Sequence, residues 1–240
     1  MLADISAADL RALALAFLLC IAWLRLCDAL AARGALAARD SRKLVHIGTG
    51  PIFLLTWLAF SAAPAARLLA ALVPLAITLR FAAVGLGLLE DAAAVAALSR
   101  SGAAAELLAG PCLYGALFVA ATLLGWRSSP AAVVALCTLC GGDGLADVVG
   151  RRLGRGNPLP HSRGKSWAGS AAFVAGALAC ALPMLAAFAA QGHLASPPAW
   201  QTGCVVLAAA AIESLPLEDV DNATVFAAAV LFPHFAFGWQ

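Results

Sequence analysis

The sequence has little charge, and this shortage excludes an ordinary soluble domain. Only 12% of the 240 residues are charged, whereas 63% are hydrophobic and the mean hydropathy is +0.92. Soluble domains are close to half apolar and about a quarter charged. A soluble core of this size could not hide so much apolar surface, so we expect a membrane protein. Alanine and leucine dominate, which favours helices over the alternating strands of a membrane barrel.

Other absences narrow the function. The net charge of +2 provides no basic surface for nucleic acid, which we exclude as a partner. Cys137 and Cys140 have the spacing of half a zinc site, but no second pair follows, so we expect the cysteines to be small buried helix residues. The N-terminal stretch lacks the basic region of a secretory signal, and no Arg- and Ser-rich transit peptide is visible.

Eight apolar segments follow one another without a soluble domain or a long linker. Stretches of about 20 apolar residues are typical of membrane-spanning helices. We therefore expect an all-α, polytopic membrane helix bundle with about six to eight transmembrane helices, forming one domain over residues 1–240. The first, third and seventh segments are the weakest because each contains charged residues or is short. The segments are residues 11–31, 44–63, 66–89, 111–126, 130–149, 167–190, 200–216 and 222–238.

Basic residues are distributed unevenly between the two sets of loops. If every segment crosses the membrane, most of the 15 basic residues fall on one face, which the positive-inside rule assigns to the cytosol or the plastid stroma. The acidic loop at 218–222 falls on the same face, so all polar motifs should meet at one membrane surface. The basic residues of this face are Arg25, Arg33, Arg39, Arg42, Lys43, Arg100, Arg151, Arg152, Arg155, Arg163 and Lys165.

The stretch from Gly141 to Gly154 is the richest in polar residues. Asp143 and Asp147 are four residues apart, so a helix places both carboxylates on one face. Acidic groups at membrane depth are costly and usually functional. Two carboxylates beside a phosphate site suit Mg²⁺, which we expect as the cofactor. A simple helix cap at Asp143 is the alternative interpretation, but it leaves Asp147 unexplained.

Glycines and basic residues accompany the two carboxylates. The glycines allow close approach of the backbone to a ligand, although glycines that pack helices together would look similar. The basic cluster 151–165 suits phosphate groups, so the region of about 140–170 is predicted to bind a nucleoside triphosphate. A Walker P-loop at Gly164-Lys165-Ser166 is excluded because residue 159 is leucine, where the pattern needs glycine.

These motifs resemble those of the polyprenol kinases, and of the phytol kinase family in particular. The stretch Cys140–Gly154, followed by Lys165–Ser170, is similar to the nucleotide-binding signature of phytol, farnesol and dolichol kinases, with a more distant likeness to CDP-diacylglycerol synthases. Arg42–Gly48, Ala105–Pro111 and Glu213–Asn222 resemble three further family signatures in the right order. The last departs from the plant pattern, because the loop after Pro216 is shorter.

The resemblance implies phosphorylation of phytol by CTP at the membrane interface, giving phytyl phosphate and CDP. It implies a role in tocopherol synthesis and chlorophyll-phytol salvage, in a plastid membrane of a plant or alga or otherwise in a bacterial inner membrane. The lipid bilayer, an isoprenoid alcohol such as phytol and a nucleoside triphosphate are the implied partners. A kinase for farnesol, geranylgeraniol or dolichol, a cytidylyltransferase that releases pyrophosphate, and a membrane transporter are the alternatives. Against the transporter, the sequence has no inverted repeat.

The resemblance and the residue chemistry together give a set of candidate site residues. Asp143, Asp147 and Lys165 are the predicted catalytic residues, with Asp143 and Asp147 on Mg²⁺ and either Asp as the base that orients the alcohol. Tyr114 and the tryptophans are expected at the membrane interface instead. The predicted nucleotide-binding residues are Gly142, Gly144, Gly150, Arg151, Arg152, Gly154, Lys165, Ser166 and Gly169. The additional candidates are Arg42, Lys43, His46, Glu106, Glu213, Asp221 and Asn222.

Overall fold

The computed structural model describes residues 5–99, 101–217 and 220–239, and these form a helix bundle. This confirms the predicted all-α class. Arg100, Glu218 and Asp219, which were assigned to the basic and acidic loops, lie outside the described residues. In the described ranges the strands are limited to one short antiparallel hairpin within residues 158–166.

The helices follow the predicted segments closely, and the helix over residues 167–190 matches its segment at both ends. The hairpin strands are β1 (Pro158–Leu159) and β2 (Ser162–Ser166). The α-helices are α1 (Ala7–Ala32), α2 (Ala38–Thr56), α3 (Ala66–Gly85), α4 (Ala92–Leu98), α5 (Gly110–Ala120), α6 (Pro130–Cys137), α7 (Asp143–Leu153), α8 (Trp167–Ala190), α9 (Ala199–Glu213) and α10 (Asp221–Phe237). Shorter 3₁₀ turns lie at Trp57–Ala59, Ala104–Leu108 and Trp126–Ser128, and π-helical turns at Ala121–Gly125 and Thr138–Gly142.

Five helical stretches are long and apolar enough, by length and composition, to cross a membrane. They are Ala7–Ala32, Ala66–Gly85, Ala104–Ser128, Pro130–Leu153 and Trp167–Ala190. The first and third predicted segments are among them with mean hydropathies of 2.1 and 2.0, so the expectation that these two are weak is wrong. By contrast, α9 has 15 residues and covers about 22 Å, less than the roughly 30 Å of a bilayer core.

The stretch Pro130–Leu153 is the centre of the bundle, because its most apolar window is 72% buried, against 17% for the one in α1. It is one continuous helical path through α6, the π-helical turn 138–142 and α7. A π-helical turn interrupts the regular hydrogen-bond ladder and often occurs at functional sites. This one ends directly before Asp143.

Glycine lets the central helix approach its neighbours closely. A methyl group added at Gly141 would lie 2.6 Å from the carbonyl oxygen of Gly176 on α8, and one at Gly142 would lie 3.0 Å from the ring of Phe173. A methyl group at Gly144 would collide with Ile47 of α2. Close helix contact through small residues is the usual packing mode in membranes. It fixes α7 against both α2 and α8.

The end of the bundle opposite α7 is closed by local polar contacts. Asp9 accepts hydrogen bonds from the backbone N–H and the hydroxyl of Ser6, at 3.1 and 2.7 Å, and from those of Ser61, at 2.8 and 2.9 Å. Arg127 is buried and donates to the carbonyl oxygens of Trp57, Phe60 and Ser61, at 3.3, 2.7 and 2.6 Å. We call this set the far-end cluster.

Candidate functional site

A polar pocket of about 890 Å³ opens at the end of the bundle where α7 ends and α10 begins. The chain reaches it from many separate segments: α2, α4, α7, the hairpin, α8, α9 and α10. Basic residues outnumber acidic ones in its lining, so the pocket attracts anions. The charged lining residues are Arg39, Arg42, Lys43, Arg151, Arg155, Arg163, Lys165, Asp143, Asp147, Glu213 and Asp221.

One face of α7 forms a polar stripe that runs inward from the mouth of the pocket. Asp143 and Asp147 lie one helical turn apart on this face, as their spacing predicted, and Arg151 lies a further turn along it. The stripe covers about 12 Å along the helix axis. It therefore brings charge from the water-facing end of the helix to the depth at which the π-helical turn begins.

Asp143 is held at the inner end of the stripe by two residues of α2. Its Oδ2 atom lies 3.1 Å from Nζ of Lys43 and 3.2 Å from Nε2 of His46. The same His46 nitrogen lies 2.8 Å from the carbonyl oxygen of Leu139 in the π-helical turn. Lys43 and His46 were predicted from one signature, and the structure brings both to the predicted carboxylate. Lys43 and Asp143 are 100 residues apart in the sequence.

Asp147 is also paired, and with a different set of residues. Arg151 donates from Nε to Oδ2 at 3.0 Å, and Arg39 lies 3.4 Å from Oδ1. The two carboxylates therefore have separate partners: Asp143 contacts residues of α2, whereas Asp147 contacts Arg151 and Arg39. The side chain of Arg39, 60% exposed, is at the edge of the pocket and can move aside.

Asp40 extends this network between α2 and α7. It accepts from Arg151 at 2.9 Å and from Arg152 at 3.0 Å. These hydrogen bonds, mainly that of Arg151, hold the pKa of the Asp40 carboxyl below its usual value. Sequence reasoning did not select Asp40 or Arg39, because nothing in the sequence pairs the start of α2 with the end of α7.

Lys165 and Glu213 form an ion pair on the other side of the pocket. The hairpin places Lys165 at the base of α8, and Glu213 is the buried last residue of α9. Ser166 begins α8 by accepting a hydrogen bond from the N–H of Gly169 at 3.1 Å. Glu213, one of the additional candidates, thus has a cationic partner, and that partner is the lysine predicted to bind nucleotide.

The glycines predicted to bind nucleotide fall into two groups. Gly150, Gly154 and Gly169 line the pocket, as does Ser166. Gly142 and Gly144 do not belong to the described lining, and they pack against Phe173 and Ile47. For these two, the helix-packing interpretation that the sequence left open is the one that fits their surroundings.

Three additional candidates are not among the described lining residues: His46, which contacts Asp143, and also Glu106 and Asn222. Glu106 accepts hydrogen bonds from the backbone and hydroxyl of Ser101 in the loop before α5. The backbone N–H of Asn222 donates to the side chain of Asp221, which does line the pocket. Arg152 is exposed, and its contact with the site among the described residues is the one with Asp40. A catalytic or nucleotide role for Glu106, Asn222 and Arg152 stays a prediction.

Tyr114 was expected at the membrane interface, and the structure gives its side chain two contacts within the bundle that the sequence did not predict. Its ring stacks on the imidazole of His46, with centroids 4.3 Å apart and planes 30° apart. Its hydroxyl lies 2.9 Å from Sγ of Cys140 in the π-helical turn. No spacing rule connects Tyr114 with His46, so the sequence carried no signal for this contact.

The donor set fits Mg²⁺ in part. Among the described residues, no group of three His, Cys, Asp or Glu side chains is gathered to hold a metal ion. Mg²⁺ in nucleotide sites typically takes one or two carboxylates and completes its coordination with phosphates and water. Asp143 and Asp147, which both line the pocket, supply that number. Both Lys43 and His46 contact Oδ2 of Asp143.

Comparison with known proteins gives a consistent group of relatives. The probable phytol kinase 2, chloroplastic, of Oryza sativa subsp. japonica is 39% identical over 221 residues, which cover 90% of this chain and 72% of that protein. Phytol kinase 1, chloroplastic, of Arabidopsis thaliana is 35% identical over 219 residues, covering 88% and 71%. The farnesol kinase, chloroplastic, of Arabidopsis thaliana is 37% identical over 193 residues, covering 79% and 62%. No protein-family model and no solved structure matches the chain.

Proposed function

The chain belongs to the phytol kinase family, and on that premise we propose that it transfers a phosphoryl group from CTP to phytol. The observation that carries this proposal is the basic pocket at one end of an apolar bundle, with two carboxylates on one helix face. A nucleoside triphosphate is soluble only in water and an isoprenoid alcohol only in the bilayer. A site that begins at the surface and runs inward along α7 serves both.

Phosphoryl transfer needs positioning and neutralisation of charge more than covalent chemistry. In the proposed reaction the alcohol oxygen bonds to the terminal phosphorus as the bond to the bridging oxygen breaks, which leaves CDP. The hydroxyl proton passes to a carboxylate, Asp143 or Asp147. Lys165, Arg151 and their basic neighbours offset the negative charge of the phosphates. Gly150, Gly154 and Gly169 line the pocket, and their missing side chains let α7 and the start of α8 pack closely together at its wall.

Mg²⁺ is part of the proposal, held by Asp143, Asp147 or both together with phosphate oxygens. When bound, it would neutralise charge that develops on the phosphates. The basic partners of the two carboxylates are then free to contact the nucleotide, since Lys43, Arg39 and Arg151 all line the same pocket. The protein's own contribution is to keep both carboxylates on one helix face at a fixed depth.

The test is an assay of membrane fractions with radiolabelled CTP or ATP and a panel of isoprenoid alcohols. We expect phytyl phosphate and CDP, with phytol and CTP as the preferred pair. Release of pyrophosphate with phosphatidate as the acceptor would instead identify a cytidylyltransferase. Membranes carrying the Asp143→Asn variant at matched expression serve as the background control.

A farnesol kinase activity is the second candidate, because one relative at 37% identity is named farnesol kinase. The two activities would use the same nucleotide pocket. They differ in the length of the isoprenoid tail that the bundle must accommodate. A higher kcat/KM for farnesol than for phytol, measured in the same detergent, would identify farnesol as the preferred substrate.

We further propose a multi-pass protein of a plastid membrane, in view of the chloroplastic relatives and the five long apolar helices. Impermeant thiol labelling on sealed, oriented vesicles tests the crossings in a background without reactive native cysteines. Cysteines at Ser101 and Gly156, on the pocket side, should label together, and one at Ser196 from the opposite side. Gly156, in the turn before β1, is the suitable position, because Ser162 is buried and a side chain at Gly156 meets open space. Labelling of Ser101 and Gly156 from opposite faces would overturn the proposed topology.

A further inference from the structure

Tyr114 lies on α5, outside every motif that the sequence singled out, yet it contacts two parts of the site. It is the chain's single tyrosine. One face of its ring lies against His46, and its hydroxyl is within hydrogen-bond distance of the Cys140 thiol. His46 and Cys140 both adjoin the turn that leads into Asp143.

The contacts of His46 determine which of its nitrogens carries a proton. Nε2 lies 2.8 Å from the carbonyl oxygen of Leu139 and 3.2 Å from Oδ2 of Asp143. A carbonyl oxygen only accepts, and a carboxylate beside Lys43 also accepts. Nε2 must therefore carry the hydrogen and donate it towards both oxygens. His46 acts at this position as a donor that ties Asp143 to the π-helical turn.

This double contact depends on the orientation of the imidazole ring. Rotation about the bond to the ring is soft for histidine, because that torsion has broad minima. A rotation would move Nε2 away from one or both oxygens. The stacked ring of Tyr114 blocks such rotation on one side, and its own hydroxyl is fixed at Cys140.

We infer that Tyr114 is a positioning residue: it holds His46 in the orientation in which Nε2–H fixes the Asp143 carboxylate to the π-helical turn. This rests on the proposed function, in which Asp143 acts on the nucleotide or the alcohol. Tyr114 itself is not among the residues that line the described pocket. Its effect on the reaction passes through the direction in which the carboxylate points, and small misplacements of reacting groups cost about a hundredfold in rate.

Substitutions separate the ring from the hydroxyl. Tyr114→Leu removes the stacked ring, and we expect kcat to fall at least about tenfold with the KM values for alcohol and nucleotide changed less than about threefold. Tyr114→Phe keeps the ring and should retain most of kcat. Phe118→Leu is the matched control: Phe118 lies one turn further along α5 and contacts Tyr114 with centroids 4.9 Å apart. It should retain kcat, because among the described contacts it does not reach His46.

A single fluorine label tests the coupling without any turnover. Because the chain has one tyrosine, 3-fluorotyrosine gives one ¹⁹F resonance from Tyr114. We expect the resonance to shift in the ligand-free Asp143→Asn and His46→Gln variants, and to stay in place in Lys165→Ala. An unchanged resonance in both the Asp143→Asn and the His46→Gln variant overturns the inference. A Tyr114→Leu variant with normal kcat also overturns it. If no alcohol is phosphorylated, the proposed function fails. The ¹⁹F response still tests whether Tyr114 is coupled to Asp143 through His46.

Discussion

The two ends of the bundle both contain buried or half-buried charges, but they satisfy them in different ways. In the far-end cluster, Asp9 is bonded by two serines and Arg127 by three backbone carbonyl oxygens. These partners are neutral and belong to the local fold. At the pocket end, Asp143, Asp147 and Glu213 are matched by lysines, arginines and His46 around an open cavity of about 890 Å³.

The type of partner distinguishes a charge that stabilises the fold from a charge that is available to bind a ligand. A backbone carbonyl has no other position to take, so the far-end contacts contribute to stability whether or not a ligand is present. A lysine or arginine beside a cavity exchanges a carboxylate for a phosphate without unfolding any element, since both are oxygen anions. The comparison therefore predicts loss of activity at one end and loss of stability at the other.

The largest effect is expected for the two carboxylates of α7. Asp143→Asn and Asp147→Asn keep the size of the side chain and remove its charge, so each should lower kcat about a hundredfold or more. The protein should still insert and melt near the wild-type temperature. Turnover at matched expression and the Tm in detergent are the measurements. Near-normal turnover in either variant would contradict its assignment as a catalytic or metal-binding residue.

The opposite result is expected for Arg127. Arg127→Met leaves three buried carbonyl oxygens without their donor, which should cost about 1–3 kcal/mol of stability. The Tm in detergent should fall, while kcat per folded molecule stays within about twofold of wild type. Arg127→Lys is the matched control, because it keeps a donor at the same position. A selective loss of kcat with unchanged Tm would show that the far-end cluster is not purely structural.

Hydropathy was enough to predict the helix bundle, because the apolar character of each helix depends only on the residues within that segment. The segments 130–149 and 167–190 agree with the helical stretches 130–153 and 167–190. The helical spacing also placed Asp143 and Asp147 correctly on one face. The partners of these residues could not be predicted, because contacts such as Lys43–Asp143 and Arg151–Asp40 join positions 100 and 111 residues apart. They depend on how α2 packs against α7.

The contacts of Tyr114 and of two glycines could not be predicted for the same reason. Tyr114 was expected at the membrane interface because an isolated tyrosine in an apolar segment usually lies there. Only the packing of α5 against α2 shows that His46 is its neighbour. Likewise, Gly142 and Gly144 have the composition of a ligand-binding turn, but the helices that approach them decide their surroundings.

A smaller effect is expected for Lys165. Loss of one charged contact to phosphate is worth about 1.5–3 kcal/mol, so Lys165→Ala should raise the KM for nucleotide about tenfold or more, with the KM for alcohol nearly unchanged. Glu213→Gln is the control, because it breaks the ion pair but keeps the lysine. It should not raise the KM for nucleotide. Equal increases in both KM values for Lys165→Ala would indicate a structural role for the pair.

The smallest effect is expected for Asp40, which tests whether charges at the rim of the pocket contribute to stability at all. Its folded-state pKa is lowered, mainly by the hydrogen bond from Arg151. A lowered carboxyl pKa stabilises the folded protein above the unfolded pKa of about 3.9, and this contribution is lost as the pH falls through the folded value. Asp40 lies at the water-facing start of α2 with both arginines partly exposed, so screening keeps the contribution small. The wild-type protein should therefore melt slightly above Asp40→Asn at about pH 7, and the two melting temperatures should converge below about pH 4. The difference between the two proteins isolates Asp40 from the other carboxylates that titrate in this range. A gap that persists or widens in acid would mean that Asp40 acts through packing rather than through its charge.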